Sequence, residues 1–204
     1  LFLSSMSHDI RTPMNAIIGS TVIAEKQLEE ENINRDAVKE SIKTIELSGN
    51  HLLTLINDIL DISKIESGKI VLSPTVFSIT DILNRMIEIC QPEIKEKNFE
   101  FEVSCNDIVH EYITADSLRI NQIFINILSN AIKYTNPGGK ITIELTEQPV
   151  KGKTDKAHYV YRVSDTGIGM TPEFIQTIFE RFTRAVDTRI NSVRGTGLGM
   201  AIVK

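Results

Sequence analysis

The sequence predicts an α+β protein of two domains, a helical hairpin followed by an α/β sandwich, and three observations carry that prediction. Apolar residues repeat every seven positions through the first third of the chain. The heptad period then gives way to short segments rich in β-branched and aromatic residues, interleaved with helical ones. Between the two textures lies SKIESGKI, residues 63–70, whose Gly68 reads as a helix stop. The boundary is placed there, giving domains 1–67 and 68–204.

In the first helix Leu3, Ile10, Ile17 and Ala24 recur at sevens, joined by Met6, Met14, Thr21 and Leu28. EENIN, residues 30–34, breaks the pattern. A second helix follows, in which Val38, Ile42, Ile45, Gly49, Leu52, Ile56 and Ile59 alternate steps of four and three. Leu53, Leu55, Leu60 and Ile62 widen its apolar face beyond what one partner helix covers, so two hairpins are expected to pair as a homodimeric four-helix bundle. At about 100° per residue His8 points roughly 165° from the first stripe, with Thr12 within about 40° of it, so both face outward. Pro13 removes a backbone donor one turn on and is expected to bend the helix there.

The second half reads as a strand at Thr75–Ser78, a helix from Thr80 to Lys97, a strand at 99–104 and a short strand at YITA. A helix from Asp116 to Tyr134 precedes paired strands, KITIELTE and HYVYRVSD. Helices on one face of a mixed sheet make the α/β sandwich.

Composition narrows the function. A net charge of −5 without a basic run lacks the footprint of phosphate-backbone binding, which argues against nucleic acid. Cys90 and Cys105 form no CxxC and the four histidines no HExxH, so a disulfide framework or protein-only metal site is not expected, and a reducing, cytoplasmic setting fits. No apolar run reaches the length of a membrane span and LFLSSMS lacks a signal peptide's charged front. Both ends read as cut from a longer chain.

The chemistry concentrates on one helix and two glycine clusters. NQIFINILSNAIKYT is apolar except along Gln122, Asn126, Asn130 and Lys133, at steps of four, four and three. Asparagine weakens a helix, so two of them one turn apart point to a task. Their amide oxygens suit a hard cation such as Mg2+ that shares nucleotide phosphates, with Lys133 adding positive charge. HYVYRVSD delivers Asp165 into TGIGM, where Gly167 and Gly169 permit positive φ or an approach too close for a Cβ. RGTGLGM sets Gly195, Gly197 and Gly199 before another helix, where backbone N–H groups can face an anion. Neither cluster continues as a P-loop or a dinucleotide fingerprint. The intervening PEFIQTIFERFTRAVDTRINSV reads as a short helix and a mobile lid.

SHDIRTPMNAIIG, NQIFINILSNAIKYT, DTGIGM, FERF and GTGLGM, in this order and spacing, resemble the sensor histidine kinases of two-component signalling over essentially the whole chain. The resemblance implies a dimerisation and histidine phosphotransfer hairpin followed by an ATP-binding domain of the Bergerat type. That domain is shared with heat-shock chaperone, mismatch-repair and topoisomerase ATPases. By the same resemblance His8 is the phosphoacceptor, Asp9 orients its imidazole and assists as base, and Thr12 aligns a water for phosphatase action. Asn126 and Asn130 would hold Mg2+, Asp165 would read the adenine amino group, and Lys133 and Arg184 would contact phosphates. Tyr134, Thr196, Leu198 and the glycines Gly167, Gly169, Gly195, Gly197 and Gly199 would shape the ATP site and its lid. Phe179 and Phe182 fit the family's aromatic box. The implied activity is autophosphorylation followed by transfer to an aspartate of a response-regulator receiver domain. The family's nucleotide domain usually ends in further strands, expected beyond Lys204, and a sensor is expected to join the core, anchoring the full-length protein in a membrane.

Overall fold

The computed structural model describes residues 2–30, 32–150, 156–183 and 196–204. These fall into two compact units, one of residues 2–70 with 180–183 and 196–198, the other of residues 71–179 with 199–204. The first unit is built on α1 (Phe2–Glu29) and α2 (Arg35–Glu66), packed against each other as a hairpin. Asn34 starts α2 because its side chain accepts the Ala37 amide at 3.1 Å, satisfying a donor that the first turn leaves orphaned. Gly68 ends the helical path as expected: at φ +62° it lets the Lys69 amide reach back to the Lys64 carbonyl at 2.9 Å.

The seam within the hairpin differs in part from the expected one. Ser41, Ser48, Leu55 and Ile62 are the buried positions of α2, seven apart, with Val38, Ile45, Leu52 and Ile59 half-buried between them. Ile42 and Ile56, expected in the same seam, are exposed, as are Met14 and Leu28 of the expected α1 stripe. Two serines occupy core positions because their small side chains let the helices come close, which displaces the larger residues to the flank. α1 runs on through the buried Pro13 without a break in its assigned helix.

The second unit contains β1 (Thr75–Ser78), α3 (Ile79–Glu96), β2 (Glu100–Asn106), β3 (Tyr112–Ala115), α4 (Ser117–Tyr134), β4 (Lys140–Pro149), β5 (Ala157–Asp165), α5 (Pro172–Thr177) and α6 (Gly199–Val203). Ser78 and Asp116 cap α3 and α4 by accepting the amides of Asp81 and Arg119. β4 is central in a three-stranded sheet, parallel to β2 and antiparallel to β5, with Ile143 opposite both Val103 and Val163. The sheet is therefore mixed, as expected. β1 and β3 form a separate antiparallel pair, a division that strand propensity alone does not reveal.

Alternation along β4 explains the layering. Ile141, Ile143 and Leu145 are fully buried and face one side, as period-two side chains must. Against them pack Ile82, Leu83 and Met86 of α3 and Phe124, Leu128 and Ile132 of α4. Each fully buried Leu or Ile contributes about 2 kcal/mol of hydrophobic stabilisation. The core thus fixes α4 by its apolar side, and Asn126 and Asn130 lie outside that core.

Candidate functional site

In the hairpin unit His8 projects outward from α1, with 78% of its side chain exposed. Its Nδ1 lies 3.5 Å from Oδ1 of Asp9, whose side chain is largely covered. A carboxylate at that position favours the tautomer protonated at Nδ1 and leaves Nε2 with its lone pair. Thr12, also exposed, donates its hydroxyl to the His8 carbonyl at 3.1 Å. That bond is the back-bonding expected of a mid-helix threonine.

In the other unit α4 organises two closures. Near its middle, Asn126 donates its amide N–H to the Gly199 carbonyl at 3.2 Å. A Cβ on Gly199 would lie 3.3 Å from Asn126 Oδ1, so this glycine keeps the start of α6 against α4. With the nitrogen committed to Gly199, Oδ1 is the atom left to meet a ligand, and Asn130 is half-buried one turn on. Among the described residues no cluster of three or more His, Cys, Asp or Glu could hold a metal. Amide oxygens of this kind fit a hard cation that takes its remaining ligands from water and phosphate.

At its C-terminus α4 meets the turn after β5. The Tyr134 carbonyl accepts the Ile168 amide at 3.2 Å. A Cβ on Gly167 would fall 2.5 Å from that carbonyl oxygen and 2.7 Å from Asp165 Oδ1, so only glycine fits. Asp165 Oδ1 accepts the Gly167 amide at 2.9 Å, which leaves its second oxygen open among the described residues. Gly169 sits at φ +68° in open space: it supplies a left-handed turn rather than a close approach. Lys133 carries its ammonium 5.9 Å from the Tyr134 ring centroid, on the flank of the same helix end. Asn126, Asn130, Lys133, Tyr134, Asp165, Gly167, Gly169 and Gly199 therefore belong to one surface of one unit.

Thr196, Gly197 and Leu198 belong to the hairpin unit. Thr196 donates to Asp58 Oδ2 of α2 at 3.2 Å and accepts the Leu198 amide at 3.1 Å. Gly197, at φ +68°, gives its carbonyl to the Phe182 amide at 2.9 Å, and a Cβ there would lie 2.9 Å from Phe182 Cα. Leu198 is fully buried. Arg181 forms an ion pair with Glu66. Burial pushes the Asp58 carboxyl above its ordinary value, the Thr196 hydroxyl pulls it back, and the nearby Asp61 charge adds to the rise. The sequence reading did not find Asp58, because its partner lies 138 residues away and no local spacing announces the pairing. Of the expected site residues, Arg184 and Gly195 lie outside the described residues, as does most of the expected lid.

A hairpin displaying a histidine beside a carboxylate, joined to a fold that closes an asparagine-bearing helix over glycine turns, defines a phosphoacceptor module coupled to a nucleotide-binding one. Comparison with known proteins agrees on both counts. Residues 1–68 match the family described as His Kinase A (phospho-acceptor) domain, and residues 115–204 match Histidine kinase-, DNA gyrase B-, and HSP90-like ATPase. The chain belongs to the sensor histidine kinases, as a phosphoacceptor and ATPase core of that family. It is 38% identical over 206 residues to the autoinducer 2 sensor kinase/phosphatase LuxQ of Vibrio vulnificus (strain YJ016), covering 100% of this chain and 23% of LuxQ. Among solved structures it is similar to full-length ShkA in complex with AMPPNP, with TM-score 0.65, 31% identity and coverage of 98% of this chain and 39% of ShkA. It also shares the fold of ThkA in complex with the response regulator TrrA, with TM-score 0.63, 24% identity and coverage of 95% and 52%. The chain thus spans about a quarter of the length of the curated relatives it matches. Among the described residues no helix is long and apolar enough to cross a membrane.

Proposed function

We propose that this chain autophosphorylates on His8 from Mg-ATP and passes the phosphoryl group to an aspartate on a response-regulator receiver domain. The observation that carries the reading is the exposed His8 imidazole with Asp9 at its Nδ1, in a chain whose α4 carries Asn126 and Asn130 outside its core.

Asp9 keeps the proton on Nδ1 and stabilises the positive charge that develops when Nε2 attacks. As the Nε2–P bond forms, the bond from the γ-phosphorus to its bridging oxygen breaks and ADP departs with the electron pair; the Nδ1 proton passes to Asp9 or solvent. Asn126 and Asn130 would hold Mg2+, which would supply positive charge to offset that of the phosphates and of the departing ADP. Lys133 adds to that neutralisation, and Asp165 accepts from the amino group of the base. The nucleotide domain swings on the SKIESGKI segment to bring nucleotide to His8. For phosphatase action Thr12 turns its hydroxyl from the His8 carbonyl to align a water, which attacks the phosphorus of the receiver's aspartyl phosphate and releases the aspartate carboxylate and inorganic phosphate. A likeness to a sensor kinase/phosphatase supports carrying both activities. The hairpin acts as a homodimer, the core works in the cytoplasm, and the full-length protein is a membrane-anchored sensor. ThkA, whose fold this chain shares, is in complex with a response regulator, which supports a partner of that kind here.

Labelling with γ-phosphate-labelled ATP tests the reading. The chain gains acid-labile label, and the His8→Gln variant gains none. Acid-labile label persisting in that variant would place the acceptor elsewhere, and steady hydrolysis without any phosphoenzyme would make the chain a clamp-type ATPase.

A further inference from the structure

Residues 180–183 and 196–198 lie in the stretch that matches the ATPase family, yet they group by contact with the phosphoacceptor hairpin. Side-chain links hold them to α2. Thr196 donates its hydroxyl to Asp58 Oδ2 at 3.2 Å, and Arg181 pairs with Glu66, about two turns further along the helix. The two segments also join each other, the Phe182 amide donating to the Gly197 carbonyl at 2.9 Å, and Leu198 is fully buried. Gly199, the next residue, belongs to the other unit and accepts from Asn126 through its carbonyl.

This arrangement works against an anion. A glycine turn binds phosphate through backbone N–H groups aimed at the ligand. Here the Leu198 amide is taken by the Thr196 hydroxyl at 3.1 Å, and the group set against that hydroxyl is a carboxylate. Asp61 adds a second negative charge close to Asp58. A phosphate reaching Thr196 would therefore meet like charge, and a hydroxyl and an amide that are already engaged. A hydrogen bond to a carboxylate is roughly twice as strong as one between neutral groups, so the docked turn is not released for nothing. The proposed transfer chemistry has no use for Asp58, which stands on the helix that does not carry His8.

We propose that Asp58 is an autoinhibitory latch: it holds the Thr196–Leu198 turn on α2 in a conformation that disfavours nucleotide, and nucleotide binds more tightly once the Thr196–Asp58 hydrogen bond opens. This deepens the proposed function and rests on the reading of the glycine turn as part of the nucleotide site. A ligand that prefers the undocked turn has its apparent affinity reduced by the fraction that is docked. By linkage, bound nucleotide favours release of the turn from α2 by the same factor.

The test is titration of the chain and its Asp58→Ala and Asp58→Asn variants with Mg-ADP, alongside thermal unfolding without nucleotide. Alanine removes both acceptor and charge and should tighten Mg-ADP binding about fivefold, as the loss of a charge-assisted hydrogen bond from the docked state allows. Asparagine is nearly isosteric, keeps one acceptor oxygen and loses the charge, so its affinity should fall between those of alanine and the parent. Thermal stability should be unchanged or lower in both. Initial labelling from γ-phosphate-labelled ATP, at concentrations well below saturation, should rise in the same order. A structural role alone would not raise affinity. Variants that bind Mg-ADP like the parent overturn the proposal, and so do variants that bind it more weakly, which would make Asp58 a support of the nucleotide site. A parent chain that binds no Mg-ADP would instead overturn the nucleotide-site reading, and this proposal with it.

Discussion

At the residue scale, the glycines separate by physical role, and the difference is measurable. Gly167 is required because a Cβ would collide with the Tyr134 carbonyl and Asp165, Gly169 because its φ is +68°. On the proposed reading of Asp165 as the adenine contact, Gly167→Ala should therefore displace Asp165 and lower ADP affinity at least about tenfold in calorimetric titration, since small misplacements of a positioned group are costly. Gly169→Ala meets no neighbour and carries only a left-handed backbone penalty of about 1 kcal/mol, so it should lower thermal stability modestly and binding little. Equal losses of affinity in the two variants would contradict the assignment. The sequence marked both glycines without separating them, because positive φ and close approach look the same in a one-letter code. His8 was legible for the opposite reason: its outward direction follows from helical periodicity alone, and its exposure agrees. Asp58 was not, since its partner Thr196 arrives from the far end of the chain.

At the element scale, the strands and helices were legible where period and capping agree. α4 begins at its Asp116 cap and runs to Tyr134 as expected. The hairpin seam was only half legible: apolar stripes on α2 lie side by side, and hydrophobicity does not say which stripe meets α1 and which another molecule. Buried Ser41 and Ser48 decide it, and polar residues in a seam carry no sequence signal of burial. An element the sequence did not single out is the loop between β2 and β3. It is held by Glu147 on β4, whose Oε2 accepts the amides of Val109 and His110, each at 2.7 Å, while Oε1 faces His110 Nδ1. Tyr159 donates its hydroxyl to the His110 carbonyl. The His110 side-chain contact and these amides pull the Glu147 carboxyl from 4.5 to about 2. Because the folded-state value is depressed, the stabilisation is complete above about pH 4.5 and is lost as pH falls toward 2. Glu147→Gln replaces an acceptor-only group with one bearing N–H donors against N–H donors. It should lower the melting temperature by several degrees at pH 7 and flatten the loss of stability between pH 4.5 and 2; a variant with the parent's acid-side slope would remove Glu147 as its source.

At the scale of the whole molecule, the hairpin leaves an apolar row uncovered within one chain. On α2 this row is Ile42, Leu53, Ile56 and Leu60, all exposed, and Met14 and Ile18 are exposed on α1. Contiguous exposed apolar surface of this kind marks an interaction site, and a helix face at steps of three and four suits a second copy of itself. The double variant Leu53→Glu, Ile56→Glu puts four charges into the symmetric centre of a paired bundle while leaving Leu55 and Ile62, which pack within the hairpin, unchanged. Burying unpaired carboxylates costs several kcal/mol each, enough to outweigh the association of a small bundle. Light scattering should report a dimer for the parent and a monomer for the variant. ADP binding should be unaltered, because Asn126, Asp165 and Gly167 lie in the other compact unit. A variant that remains dimeric would show that the exposed row is not the interface; one that loses ADP binding would show that the nucleotide site depends on the hairpin's partner.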